Sequence, residues 1–264
     1  MPRRIDRAVR ETRLLGWLLV LAAFLLWEVA SQLGWIRSSI VPAVSDILEG
    51  WSDELLNGAL GVSLLVTLKH MAGGYVIGAT LGVIVGVAMG RSRLLWRLLE
   101  PLIEMARPVP TSALVPLMIL FLGIDDPLKI TVVALGAFFP VFINTFAGVT
   151  SVSRTLRDTG RTFGVGEAEA TLRIILPAAA PIIFVGLRYA LSVSLVIALV
   201  AEMIAGSDGM GYFVIRAQQN LSVVQLFIGV FTLALLGYAL NFLFLWVERL
   251  VLPWRAGGER RQAG

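Results

Sequence analysis

Long apolar runs separated by short polar stretches rich in arginine set the pattern of this chain. The runs cover Leu14 to about Leu33, Ser63 to Met89, Pro101 to Leu122, Leu128 to Val149, Ile182 to Ala205 and Val223 to Val247. A helix rises about 1.5 Å per residue, so roughly 20 apolar residues cross a hydrocarbon core about 30 Å thick. The pattern therefore predicts an all-α, polytopic membrane protein with six transmembrane helices.

Composition agrees. Hydrophobic residues make up 57% of the 264 residues, charged residues 15%, and the mean hydropathy is +0.83. A soluble domain with so few charges exposes too much apolar surface. We expect an N-tail over 1–13, a six-span domain over 14–252 and a C-tail over 253–264, with no soluble enzyme domain attached. The basic tail and first run share features with a signal peptide, but the run is long enough to span and five more follow.

Arginine placement predicts the orientation. The N-tail, Arg91/Arg93/Arg97, Arg154/Arg157/Arg161/Arg173, and Arg249 with Arg255, Arg260 and Arg261 form the rich set. Arg37, Lys129 and Arg216 mark the poor loops. The positive-inside rule puts both termini and a long 150–181 loop in the cytoplasm of a multi-pass inner-membrane protein. The tail after Trp254 reads as disordered.

Within the spans, Gly74, Gly78, Gly82, Gly86 and Gly90 recur every four residues, a strip that lets another helix approach closely. The third span holds Pro101, Pro108, Pro110 and Pro116. Proline removes a ladder hydrogen bond, and broken backbone at membrane depth is tolerated inside protein or beside water. Arg107, Pro108 and Pro110 are thus pathway candidates, with Glu104 and Arg107 able to pair three residues apart. Glu202, beside the glycine-rich Gly206–Gly211 stretch, is a candidate for an outer gate, and Arg188 reads as snorkelling to the inner interface.

Enzyme signatures are missing. His70 is the only histidine, cysteine is absent, and neither lysine follows a glycine as a phosphate-binding loop requires. The sequence offers no catalytic residue, metal site or cofactor. No chain of acids crosses the membrane, which argues against a proton-coupled carrier.

The loop from Ser151 to Pro181 carries more than a connector needs. Ser153 to Phe163 reads as a short polar helix broken by Gly164. A second helix follows Gly166 as N-cap, with Glu167 and Glu169 in its first turn and Arg173 near its end, both favourable to the helix dipole. Ala168, Leu172, Ile175 and Leu176 share a face, and Pro177 is expected to terminate the helix. This is either a lever for a cytoplasmic partner or an interfacial helix on lipid.

Here the chain resembles the cytoplasmic EAA loop of binding-protein-dependent ABC importer permeases, whose pattern is Glu-Ala-Ala, three residues, Gly, nine residues, Ile-x-Leu-Pro. Gly164 is followed by nine residues and then Ile174-Ile175-Leu176-Pro177, while Asp158-Thr159-Gly160 stands where Glu-Ala-Ala is expected. Gly160 in a helix costs about 1 kcal/mol against alanine. Val41–Asp46, Arg107–Pro110, Leu122–Ile124, Leu187–Leu191, Ala201–Met203 and Gly209–Gly211 resemble the nitrate/sulfonate/taurine/bicarbonate branch.

The resemblance implies a type I importer permease fold, a homodimer, two ATPase subunits that bind the ATP, and a solute-binding protein that delivers substrate. It implies a coupling element at Asp158, Thr159, Gly160, Gly164, Gly166, Glu167, Leu172, Ile174, Leu176 and Pro177. The substrate it suggests is a small organic anion such as a sulfonate or taurine, or nitrate. The alternative is a secondary carrier or channel that works without an ATPase. An intramembrane enzyme lacks a nucleophile–base or metal set.

Overall fold

The computed structural model describes residues 2–37 and 39–254, and every regular element among them is helical. The expectation for the tail beyond Trp254 lies outside the described residues. The elements are α1 (Pro2–Gln32), α2 (Val44–Leu56), α3 (Ala59–Arg91), α4 (Arg93–Ala106), a 3-10 turn (Thr111–Leu114), α5 (Val115–Leu122) and α6 (Asp126–Ser151). Then come α7 (Arg154–Thr162), α8 (Glu167–Ala170), a π turn (Thr171–Ile175), α9 (Leu176–Ala205), α10 (Gly209–Gln219) and α11 (Val223–Val251).

Four helical stretches are long and apolar enough to cross a membrane: Ala59–Arg91, Asp126–Ser151, Glu167–Ala205 and Val223–Val251. Arg93–Ala106 and Thr111–Leu122 supply a fifth when counted as one span bent by 79°. The third apolar run is therefore broken, and α4 starts eight residues before the expected Pro101. The apolar helix Leu18–Gln32 falls short of those lengths. Four or five spans thus meet the length criterion among the described residues, against the six expected.

The chain divides into two compact units. The first joins residues 1–61 with 213–232. Its core is aromatic: Trp27 lies 5.6 Å from Phe227 and 6.0 Å from Phe231, ring centre to ring centre. Gly50 lets α2 sit on α11, since a Cβ there meets Ile228 and Val224 at 3.1 Å. Glu28 ties α1 to the start of α2, accepting from the Ser45 hydroxyl at 2.8 Å and its backbone N–H at 3.1 Å.

The second unit, 62–212 with 233–264, holds the loop and the acids. Lipid is as apolar as leucine, so helices associate in it by close backbone contact more than by burial of large side chains. The α3 glycines provide that contact with α6. A Cβ on Gly78 overlaps the Ala134 carbonyl; on Gly82, Gly86 and Gly90 it comes within 2.9 Å of Phe138, 2.7 Å of Thr145 and 2.7 Å of Val149. Helix α9 lies along α6 in the same way: a Cβ on Gly186 meets the Pro140 carbonyl at 2.9 Å. Buried Val132, Val133, Leu195, Ala198 and Ala201 fill one end, and Val149, Ile175, Ala179 and Ile183 the other.

Gly78→Leu is expected to destabilise the fold by about 3 kcal/mol through overpacking. Gly61→Ala, which enters open space, is expected to be neutral. Chemical denaturation in detergent micelles, followed by tryptophan fluorescence, compares the two.

Candidate functional site

The Ser153 hydroxyl caps α7 by accepting from the Leu156 N–H at 3.3 Å. The helix closes in a Schellman motif: the Val165 N–H donates to the Gly160 carbonyl at 3.0 Å and the Gly164 N–H to that of Arg161 at 2.9 Å. Gly164 holds φ +73°, a left-handed conformation that side chains disfavour. Gly166 then caps α8 in extended geometry. The two helices therefore meet at a fixed bend.

Glu167 secures that bend. Its carboxylate accepts from Arg161 of α7 at 2.9 Å and also pairs with Arg91 at the end of α3. The same carboxylate holds the Arg161 guanidinium above its usual pKa. Gly160 is buried, and a Cβ there lies 2.7 Å from the Ile174 side-chain tip. Its small size seats α7 against the π turn, which offsets its poor helix propensity. Thr159 donates internally to the Thr155 carbonyl at 2.8 Å, and Asp158 lines a cavity under α7.

Three expectations for this loop need correction. Pro177 does not end a helix: the chain stays helical from Glu167 to Ala205, and the fifth span thus begins well before Ile182. The π turn at Thr171–Ile175 sets a wider register just before Pro177, where its missing N–H and its ring are tolerated. The predicted apolar face also splits. Ile175 is buried and Leu176 packs beside it, while Ala168 is exposed and Leu172 is 66% exposed. With Phe163, at 80%, Leu172 presents bulky apolar surface on an otherwise charged loop.

The third-span break falls where the prolines put it. α4 ends at Ala106, Pro110 precedes the 3-10 turn, and Arg107 pairs with Glu104 at 3.5 Å. Arg107 through Pro110 are exposed on this single chain, where the sequence reading placed them in the protein interior or on the pathway. Arg188 does not reach for an interface alone; its Nε donates to Asn241 of α11 at 3.0 Å.

At the opposite end of α9, about 40 Å along the helix from the loop, Glu202 sits in a closed polar cluster. It is fully buried and lines no open passage here. Its carboxylate accepts from the Thr67 hydroxyl at 2.8 Å and the Gly211 N–H at 2.9 Å, and contacts His70 Nδ1 at 2.8 Å. His70 Nε2 lies 2.8 Å from Asp126, which also pairs with Lys69. Satisfying both imidazole nitrogens takes two protons: an imidazolium between carboxylates, or a neutral ring with one carboxyl protonated. The Met210 N–H donates to Thr67, and Gly209 and Gly211 let the chain wrap the acid.

Lys129, read from the sequence as marking an outer loop, lies in the first turn of α6, 2% exposed and paired with Asp208 at 2.9 Å. Sequence reasoning missed Thr67, Asp126 and Asp208 entirely, and noted His70 only as the single histidine of the chain. The available signal was the run of opposite charges at adjacent helix ends: Lys69-His70, Asp125-Asp126 with Lys129, and Glu202 with Asp208. Among the described residues no group of three or more acid, histidine or cysteine side chains could hold a metal.

Apolar spans, a bent helix pair at one end and a sealed acid at the other describe a helical membrane-embedded protein. The family model for "Binding-protein-dependent transport system inner membrane component" matches residues 78–256. A permease of Bacillus subtilis (strain 168), SsuC, whose name assigns it provisionally to aliphatic sulfonates transport, is 33% identical, covering 98% of this chain and 96% of its own. The taurine transport system permease TauC of Escherichia coli (strain K12) is 30% identical over 86% of this chain and 85% of its own. Among solved structures, an inward-facing MetNI methionine ABC transporter shares the fold: TM-score 0.66 at 19% identity, covering 75% of this chain and 98% of that one.

The chain belongs to the binding-protein-dependent transport system inner membrane components. It is a multi-pass inner-membrane permease subunit of an ABC importer, a class that works with an ATPase and a solute-binding protein.

Glu202→Ala leaves Thr67, His70 and the Gly211 N–H without their acceptor. The expected loss is about 3 kcal/mol, the scale for removing one partner of a buried ion pair. Glu202→Gln, which keeps one acceptor oxygen, is expected to recover part of it. Thermal unfolding of the detergent-solubilised protein reads the order wild type, Gln, Ala.

Proposed function

We propose that two copies of this chain form the pathway of an importer for a small organic anion of the sulfonate or taurine type. The 150–181 loop and both termini face the cytoplasm, where two ATPase subunits bind, and a solute-binding protein docks on the opposite side. In this reading α1 completes a six-span domain over 14–252, flanked by tails at 1–13 and 253–264. The chain hydrolyses nothing itself. Names of relatives support the substrate class: aliphatic sulfonates and taurine for two of them, nitrate for a third, from Synechococcus elongatus (strain ATCC 33912 / PCC 7942 / FACHB-805).

The observation that carries the coupling role is the fixed bend at Gly164 flanked by exposed Phe163 and Leu172. Exposed bulky apolar side chains beside a rigid turn suit a partner groove. Asp158, Thr159, Gly160, Gly166, Glu167, Ile174, Leu176 and Pro177 form or brace that element. Closure of the ATPase dimer pushes on it, and the push passes through the continuous helix 167–205. The exposed Arg107–Pro108–Val109–Pro110 break faces the second copy or the pathway between the copies, and Glu202 steadies the outer end of the moving core.

Two tests separate the parts of this reading. Gly164→Pro imposes φ near −65° where the bend needs +73°. It is expected to cut ATPase co-purification about tenfold with normal membrane insertion; unchanged co-purification removes the coupling role. In liposomes, taurine uptake is expected only with ATPase, binding protein and ATP present. Full-rate uptake by this chain alone contradicts the importer mechanism.

A further inference from the structure

We propose that the cavity beneath α7 is a binding site for a tetrahedral oxyanion, a phosphate group, held between the α3–α4 junction and the coupling element. The cavity measures about 590 Å³ and is lined by Arg91, Arg93, Arg154, Arg157 and Arg161, with Asp158 and Glu167 as its acids. Five guanidinium groups thus face two carboxylates across one concave surface.

The pairing leaves donors to spare. Glu167 is already shared by Arg91 and Arg161. Arg93 and Arg154 have no carboxylate partner among the described residues. Arg157 donates one N–H to the Val149 carbonyl at 2.6 Å, while its Nε is buried with no protein acceptor. A guanidinium fork matches a phosphate group in shape and charge. An oxyanion seated here relieves the repulsion among the arginines and bridges elements far apart in sequence.

Two sources carry the same chemistry: free phosphate from the cytosol, or the headgroup of an anionic lipid. The lipid source rests on the proposed orientation, which places these helix ends at the inner headgroup layer. The site itself does not depend on an ATPase, so its test stands apart from the importer reading.

The full chain is purified in neutral detergent, stripped of lipid, and titrated with inorganic phosphate by calorimetry. In parallel, nanodiscs of phosphatidylcholine with phosphatidylglycerol are analysed for lipid retained by the protein, using native mass spectrometry. The double variant Arg93→Gln/Arg154→Gln removes two exposed, unpaired charges and is expected to fold. The control Arg97→Gln/Arg249→Gln removes the same charge outside the cavity.

Phosphate binding weakened about tenfold in the double variant, with the control unchanged, establishes a small-anion site. Phosphatidylglycerol retention that falls about tenfold in the double variant, without phosphate binding, establishes a headgroup site. If neither probe separates wild type from the double variant, or if the control falls equally, the proposal is overturned.

Discussion

The second unit depends on backbones brought close enough to touch in a solvent that gives little reward for burying one hydrocarbon against another. A polar contact between helices in lipid contributes about 0.6 kcal/mol on average, so scattered hydrogen bonds do not hold such a core. Close contact along five successive α3 glycines does, because each brings many atoms of α6 into van der Waals range at once. Helix α9 closes on α6 through Gly148 and Gly186 in the same manner. A core joined along its length this way is expected to move as a body rather than bend locally.

The two ends of that body are finished differently. At the loop end, fixed turns and ion pairs define a firm, partly apolar handle: the Schellman motif at Gly164, the Glu167 pairs, and α7 seated on Ile174 through Gly160. At the other end, charge is folded away: Glu202, His70, Asp126 and Lys129 join the ends of α3, α6 and α9 to the glycine-rich turn before α10. A permease that changes shape needs both features, one place to be pushed and one place where the helices stay together. In the proposed reading, the push on that handle comes from the ATPase subunits.

Much of this was legible in the residues themselves. The four-residue glycine spacing announced a helix-packing strip, the prolines marked the break after Ala106, and Gly164 and Gly166 bounded the bend. These are local signals, in which the residue type alone restricts the backbone. What escaped was non-local. Pro177 read as a stop because a preceding π turn leaves no sequence mark of its own, and Leu172 read as sharing one apolar face with Ile175 because helix periodicity does not say which of its residues meet a neighbour. His70, Asp126 and Glu202 lie more than fifty residues apart, so their meeting required the helix register that the glycine strip sets in three dimensions.

The central claim is that the loop and the Glu202 cluster belong to one rigid body spanning the membrane. The chain has no cysteine, so spin labels at Thr155→Cys and Ser207→Cys, both exposed positions, report a single distance in transporters carrying one labelled subunit. Pulsed electron resonance on the complex, with and without ATP, measures it most directly. The account predicts the same distance in both states, and a change of a helical turn or more, about 5 Å, would contradict it.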